Sequence, residues 1–173
     1  MRVVIDAIEG EFRRYRKIAD GAIEQVSDGD LHAGADSGNT IATLVQHLGA
    51  NLKSRFSDFL TSDGEKPWRD REGEFADIQR TRAQLLSIWE DGWATLFTTL
   101  AALDDSQLEG SVVIRGVSLS VMDALTRSLA HAAYHTGQIV LIARSARGTD
   151  WKFLSIPPGG TAAYNANPSK EKA

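Results

Sequence analysis

The sequence predicts an all-α protein, specifically a four-helix bundle with a long crossover between the second and third helices. Four long segments carry apolar residues at alternating spacings of three and four, which is typical of amphipathic helices that bury one face. Between the second and third of these segments, residues 61–80 are polar and are interrupted by two glycines and a proline. A connection of this length allows two helices to lie parallel instead of pairing as a hairpin.

The first two predicted helices are defined by their apolar faces and by the residues at their ends. The first covers residues 4–26, and the Ser-Asp-Gly sequence at residues 27–29 ends it. The second begins near Asn39 or Thr40, because both residue types are good helix caps. Its apolar face continues to Phe59.

The third predicted helix and a small hairpin follow the crossover. Thr81 and Gln84 fit a capping box, so the helix begins near Thr81, and its apolar face continues to Leu103. Two short apolar runs, residues 111–114 and 117–119, then flank an Arg-Gly pair. This pattern predicts a small β-hairpin.

The fourth predicted helix spans residues 121–143, and Ser120 and Asp123 fit a second capping box at its start. Residues 1–147 are therefore predicted to form the bundle. The remaining tail, residues 148–173, contains four large apolar side chains, which are too many for a free linker. We expect the tail to dock on the same domain or on a dimer partner.

Composition limits the classes of function. A chain of 173 residues suits one domain, and 19 basic against 23 acidic residues argue against nucleic-acid binding. Cysteine is absent, so nitrogen and oxygen atoms must hold any metal. No apolar stretch approaches the about 20 residues of a membrane helix. The N-terminus also lacks a signal-like apolar block, so we expect a cytoplasmic protein with no membrane partner.

Three of the four histidines point to a metal site. His131 and His135 lie one turn apart on one face of the fourth predicted helix. His47 lies on the second predicted helix between Leu44 and Leu48, at the edge of the expected core. Three imidazoles that converge on one ion leave coordination positions open, as in reactive rather than structural metal sites.

Four residues near these histidines are candidates for a supporting role. Asn51, one turn after His47, is placed to orient a metal-bound water or a substrate. Gln138 is a candidate acceptor for the second N–H of a histidine. Arg69 and Arg71 would contact an anionic substrate if the crossover folds over the site; alternatively they are salt-bridged loop residues.

A second interpretation needs no metal. Histidines beside a core are often simply hydrogen-bonded, and pairs spaced by four residues arise by chance. His32, in the predicted loop over residues 30–38, is either an extra ligand or an exposed loop histidine.

Two stretches around the histidines, NTIATLVQHLGANL and LAHAAYHTGQI, resemble the DinB/YfiT-like superfamily of metal-binding four-helix bundles. The stretch DGEKPWRDREGEF and the tail segment FLSIPPGGTAAYN resemble one uncharacterised bacterial branch of that superfamily. The resemblance implies a divalent metal site at His47, His131 and His135. It also implies a homodimer.

The resemblance further implies a class of function. Some superfamily members are thiol-dependent S-transferases, which join a low-molecular-weight thiol to an electrophile, and others resemble hydrolases or isomerases. The predicted function is therefore a metal-dependent enzyme with a small-molecule substrate, a divalent ion (Zn, Ni, Fe or Mn) and a low-molecular-weight thiol as a second cofactor. The alternative is a stress-response protein that binds a metal or a small ligand without turnover. The sequence identifies no catalytic residue.

Overall fold

The computed structural model describes residues 1–34, 38–76 and 79–168. Over these ranges the chain forms six α-helices and one two-stranded antiparallel sheet, which confirms the predicted all-α fold with a small hairpin. The elements are α1 (Val3–Ile23), α2 (Asp28–Leu31), α3 (Ile41–Phe56), α4 (Arg82–Ala102), β1 (Ser111–Ile114), β2 (Val117–Ser120), α5 (Val121–Arg147) and α6 (Thr161–Ala166).

The four long helices α1, α3, α4 and α5 form the bundle, and α3 pairs mainly with α4 while α1 pairs mainly with α5. Near the start of α3, the Arg80 guanidinium donates to the Gln46 side chain across 2.6 Å. At the end of α3, the Thr99 hydroxyl donates to the Phe56 carbonyl across 2.8 Å. Because these contacts advance in the same direction along both helices, α3 and α4 are parallel, as the long crossover predicts.

Two glycines allow the backbones of α3 and α4 to touch. A Cβ atom added at Gly92 would collide with the backbone carbonyl of Gly49, and one added at Gly49 would lie 2.6 Å from the Ile88 carbonyl oxygen. Glycine permits this approach because it has no side chain beyond the backbone. The contact fixes α3 close to α4 two residues after His47.

The core between the helices is rich in aromatic rings. Phe12 of α1 meets Phe56 of α3 and Trp93 of α4 edge to face, with centroids 6.4 and 6.3 Å apart. Trp89 is fully buried, and its indole N–H donates to Asp20 across 2.7 Å. Offset and edge-on arrangements of this kind are the favoured geometry for aromatic pairs.

The crossover from α3 to α4 is anchored on the hairpin. The two loop residues of the hairpin, Arg115 and Gly116, have φ values of 55° and 73°, which is the conformation of a type I′ turn. The carboxylate of Asp63 accepts both of their N–H groups, across 2.8 and 2.7 Å. Gly64 also donates its N–H to the Val113 carbonyl of β1, across 2.8 Å. The first part of the crossover therefore has a defined position.

The boundaries of the first two predicted helices differ from those observed. Helix α1 ends at Ile23, and Ser27 caps the short helix α2, which covers the end of the predicted stop signal and the first two residues of the predicted loop. The Ser27 hydroxyl accepts the Asp30 N–H while the Asp30 carboxylate accepts the Ser27 N–H. Helix α3 ends at Phe56, and Phe59 stays buried although it lies beyond the helix. Core burial therefore continues past the helical backbone.

The later helix ends follow the predicted caps more closely. Thr81 and Gln84 form the expected capping box. Ser120 caps α5 by accepting the Asp123 N–H across 3.0 Å, but its hydroxyl then donates to the Asp123 carboxylate instead of completing the box. Helix α5 continues past residue 143 to Arg147, beyond the predicted end.

The segment after α5 packs on α1 of the same chain. Trp151 is buried, and the Lys152 N–H donates to the Gln25 side chain across 2.7 Å. The Leu154 side chain lies against Gly21, and a Cβ atom added at Gly21 would be only 2.7 Å from a methyl carbon of Leu154. None of the helices in the described ranges has both the length and the apolarity that a bilayer-spanning segment requires.

The contact between α3 and α4 predicts that Gly92→Ala destabilises the protein. The added methyl group must displace the Gly49 backbone, so the free energy of unfolding should fall by about 1–3 kcal/mol. Gly10→Ala is the matched control, because nothing lies within 4 Å of a Cβ atom at that helical position. The control should raise stability by about 0.5–1 kcal/mol. Urea denaturation measures both changes, and a Gly92→Ala protein as stable as the control variant would contradict the packing described.

Candidate metal centre

His47 of α3 and the pair His131 and His135 of α5 come together inside the bundle. The Nε2 atom of His131 lies 3.3 Å from Nε2 of His47 and 3.0 Å from Nε2 of His135. The possible ligand atoms of all three residues lie within 4.8 Å of one another. The predicted convergence of these histidines is therefore confirmed.

In two of these histidines, the ring nitrogen that faces away from the cluster is hydrogen-bonded to a side-chain oxygen. Nδ1 of His47 lies 2.8 Å from Oε2 of Glu74, and Nδ1 of His135 lies 2.7 Å from Oε1 of Gln138. Since both oxygens are acceptors, each Nδ1 carries the proton, and each Nε2 presents a lone pair to the centre of the cluster. These tautomers are assigned from the hydrogen-bond partners.

This donor set suits a cation. With lone pairs on Nε2 of both His47 and His135, a single N–H of His131 can satisfy only one of them. A metal ion bound in the middle satisfies all three. Tetrahedral Zn²⁺ with metal–nitrogen distances of about 2.0–2.1 Å places its ligand nitrogens about 3.3 Å apart. The observed separations of 3.0 and 3.3 Å are close to that value.

Burial keeps two of the three imidazoles neutral, those of His131 and His135. His47 and His135 are buried, whereas His131 is partly exposed and connects the cluster to solvent. Burial, with the charges of the other two histidines and of nearby arginines, lowers the pKa of His131 from 6.5 to about 3. The pKa of His135 is lowered as well, chiefly by burial. Both imidazoles are therefore neutral near pH 7, which is the state that binds metal.

Glu74 contacts the candidate centre and was not identified from the sequence. It lies on a 3₁₀ turn, Gly73–Phe75, in the second part of the crossover, and it is 4% exposed. Arg69 donates to both of its oxygens across 2.7 and 2.9 Å, and the Arg69 side chain is 1% exposed. Burial would raise the pKa of Glu74, but the hydrogen bonds and charges of His47 and Arg69 outweigh it and lower the pKa.

The arrangement of Arg69, Glu74 and His47 resembles the outer layer of known metal sites. In such sites a carboxylate accepts the outward N–H of a ligating histidine and fixes its orientation. The bidentate guanidinium–carboxylate pair holds Glu74 in turn. The signal in the sequence was the run of charges in DGEKPWRDREGEF, but it contains several acids and does not show which one turns inward.

The other predicted site residues take different positions. Arg69 has the alternative, salt-bridged role, because its guanidinium is buried against Glu74. Arg71 is exposed, pairs with Glu72 and lies with its guanidinium carbon 5.3 Å from the Phe75 ring centre.

The remaining candidates lie at the edge of the cluster or outside it. Gln138 accepts from His135, as described, and donates to the Tyr134 hydroxyl across 3.3 Å. Asn51 is half-buried one turn after His47. Nε2 of His32 lies 2.9 Å from the carbonyl oxygen of Arg80, and His32 is not part of the histidine cluster.

The fold and the site together define a helical bundle with a buried three-histidine candidate metal centre. The chain belongs to the family described as "protein of unknown function (DUF1572)", whose family model matches residues 2–160. Neither the search of curated proteins nor the search of solved structures found a match. The description of this family assigns no reaction to its members.

The hydrogen bond to His47 predicts that Glu74→Gln weakens metal binding. An amide is a poorer acceptor than a carboxylate, and the substitution leaves the buried Arg69 with only its longer contact to Glu65, at 3.9 Å. Affinity for Zn²⁺ should therefore fall about 10–100-fold. Competition against a chromophoric chelator measures this change. Glu72→Gln is the matched control, because Glu72 is exposed and pairs with Arg71. Equal affinities in the two variants would show that Glu74 does not support the centre.

The lowered pKa values predict a specific pH dependence for the metal-free protein. An unfolded histidine titrates near 6.5, whereas His131 in the folded chain titrates near 3. The unfolded state therefore takes up a proton first as the pH falls, and stability decreases from about pH 6.5 towards pH 3. Urea denaturation with a chelator present, at pH 7.5 and at pH 5, measures the loss. The His131→Gln variant should lose less stability over this interval than the wild-type protein; an equal loss would contradict the assignment.

Proposed function

We propose that this protein binds a divalent metal ion through the Nε2 atoms of His47, His131 and His135 and presents it to a small-molecule ligand. The observation that carries the proposal is the convergence of three Nε2 atoms while Glu74 and Gln138 occupy the opposite ring nitrogens. Three histidines close together could also be core residues that hydrogen-bond to one another. Because the Nδ1 protons of His47 and His135 are donated to Glu74 and Gln138, their Nε2 lone pairs face the centre and favour a bound cation.

The choice of ion is restricted by the ligands. Imidazole nitrogens suit Zn²⁺, Ni²⁺, Fe²⁺ and Cu²⁺, whereas Mn²⁺ prefers oxygen ligands and fits this ligand set less well. Three neutral ligands leave the ion its full charge, so a bound ion would supply Lewis acidity that lowers the pKa of a water or thiol. Glu74 holds the proton at Nδ1 of His47, and its own charge is balanced by Arg69. The amide of Asn51, which has no side-chain hydrogen bond in the described ranges, is available to orient a ligand.

We propose a metal-dependent S-transferase as the specific activity. The resemblance to DinB/YfiT-like bundles supports this class, and the chain has no cysteine, so the thiol must come from a small molecule. In such a transfer, a sulfur–carbon bond forms, the leaving group departs with its bonding electrons and the thiol proton passes to solvent. Metal-assisted hydrolysis is the other reaction class that fits an open metal position.

One observation favours the alternative, a non-catalytic metal- or ligand-binding stress-response protein. The acidic side chain that contacts the histidine cluster in the described ranges is Glu74, and both of its oxygens are engaged by Arg69 and His47. It is therefore committed to holding the site and is not free to move protons for a substrate. A thiol transfer is compatible with this arrangement because the metal itself would favour the thiolate.

The test of metal binding is the metal content of protein purified without a nickel column. We expect about one equivalent of divalent metal in the wild-type protein and a loss of stoichiometric binding in His135→Ala, with the helical circular dichroism spectrum retained. His32→Ala is the control, because His32 lies outside the cluster. Unchanged metal content in His135→Ala would refute the assignment.

A second measurement separates the two functions. Low-molecular-weight thiols are incubated with monochlorobimane and the metal-loaded protein, and formation of the fluorescent conjugate is compared with the metal-free protein. Metal-dependent turnover that is lost in His135→Ala supports the transferase. Binding without turnover across the thiol panel supports the alternative.

The homodimer and the cytoplasmic location that the sequence suggested stay predictions. Light scattering at micromolar concentration tests the homodimer, and a monomer mass would contradict it.

A further inference from the structure

Two exposed aromatic rings flank the histidine cluster. Phe75 is 37% exposed, and its ring centre lies 4.7 Å from that of His47. Tyr134 is 63% exposed, and its ring centre lies 5.0 Å from that of His135. The rings of His47 and His135 are themselves 5.0 Å apart. His47 and His135, two of the proposed metal ligands, therefore each have a partly exposed aromatic neighbour. We call Phe75 and Tyr134 together the aromatic rim.

Both rings of the aromatic rim are held in place by the same contacts that organise the centre. Phe75 follows Glu74 on the 3₁₀ turn, and its N–H donates to the Glu72 carbonyl across 3.1 Å. The Tyr134 hydroxyl accepts a hydrogen bond from Gln138, which accepts in turn from His135. Each ring is thus positioned relative to a histidine without being buried in the core.

Burial of the bundle core does not require either ring. Large aromatic side chains are normally covered, and an exposed apolar patch beside a polar site commonly marks a ligand-binding surface. The Arg71 guanidinium lies near Phe75, but an exposed cation–π contact is weak, so an incoming ring can replace it.

We propose that the small molecule bound at this centre carries a planar aromatic group that packs on the aromatic rim. This inference rests on the proposed metal centre and adds the chemical class of its ligand. The ring centres of Phe75 and Tyr134 lie 4.7 and 5.0 Å from those of His47 and His135, so a ligand bound at the centre needs only a short linker to bring its own ring to one of them. Aromatic pairs gain attraction from their geometry beyond the apolar area they bury, so an aryl group is preferred over an aliphatic group of similar size.

The experiment uses Co²⁺-saturated protein and three thiols with the same alkyl donor: ethanethiol, 2-cyclohexylethanethiol and 2-phenylethanethiol. The sulfur-to-cobalt absorption band reports binding of each probe. The cyclohexyl compound controls for apolar area without planarity. We expect the phenyl compound to bind about three- to tenfold more tightly than the cyclohexyl compound to the wild-type protein, the range expected for aromatic pairing.

The variants test whether the aromatic rim causes this preference. The ratio of phenyl to cyclohexyl affinity should fall towards one in Phe75→Leu, in Tyr134→Leu or in both. Phe153→Leu is the matched control, because Phe153 is 43% exposed but lies on the segment after α5, and it should keep the wild-type ratio. Binding of ethanethiol with no phenyl preference in the wild-type protein would overturn the aromatic ligand and leave the metal centre intact. A preference that survives in both rim variants would also overturn it. Failure of the wild-type protein to bind Co²⁺ would overturn the metal centre and this inference together.

Discussion

The hydrogen bond from Nδ1 of His47 to Glu74 is the contact on which the rest of the site depends. It fixes the tautomer of His47, and it attaches the crossover to α3 at the histidine cluster. Arg69 makes this contact possible, because a buried carboxylate without a counter-ion would be costly. The ion pair of Arg69 and Glu74 therefore has two effects: it stabilises the crossover, and it orients the Nε2 lone pair of His47.

The remainder of the fold supports this contact from two sides. Asp63 binds the turn of the hairpin, and Glu65 pairs with Arg55 and Arg115, so the first part of the crossover is fixed before the chain reaches Glu74. On the other side, the glycine contact between α3 and α4 sets the position of the helix that carries His47. His131 and His135 are four residues apart and share one face of α5. Both therefore point to His47 when α5 is rotated about its axis so that this face is directed at α3.

Sequence patterns predicted the parts of this structure that depend on local chemistry. Apolar periodicity gave the four long helices, Thr40 and Thr81 capped α3 and α4 as expected, and the Arg115–Gly116 turn formed the hairpin. The spacing of the histidines predicted their convergence. Glu74 was not predicted, because it lies 27 residues from His47 in a loop with several other acids, and a local pattern cannot show which one is buried. The sequence analysis placed the end of α1 too late because it took Ser27 as part of a stop signal directly after the helix. In the structure, α1 has already ended at Ile23, and Ser27 is the N-cap of α2.

X-ray absorption spectroscopy of the Zn²⁺-loaded wild-type protein tests the central claim most directly, since it reports the atoms around the ion itself. Three imidazole nitrogens at about 2.0–2.1 Å, together with a light-atom ligand from solvent, are the predicted coordination shell. A shell with one imidazole or none would place the ion elsewhere on the protein and contradict the three-histidine centre.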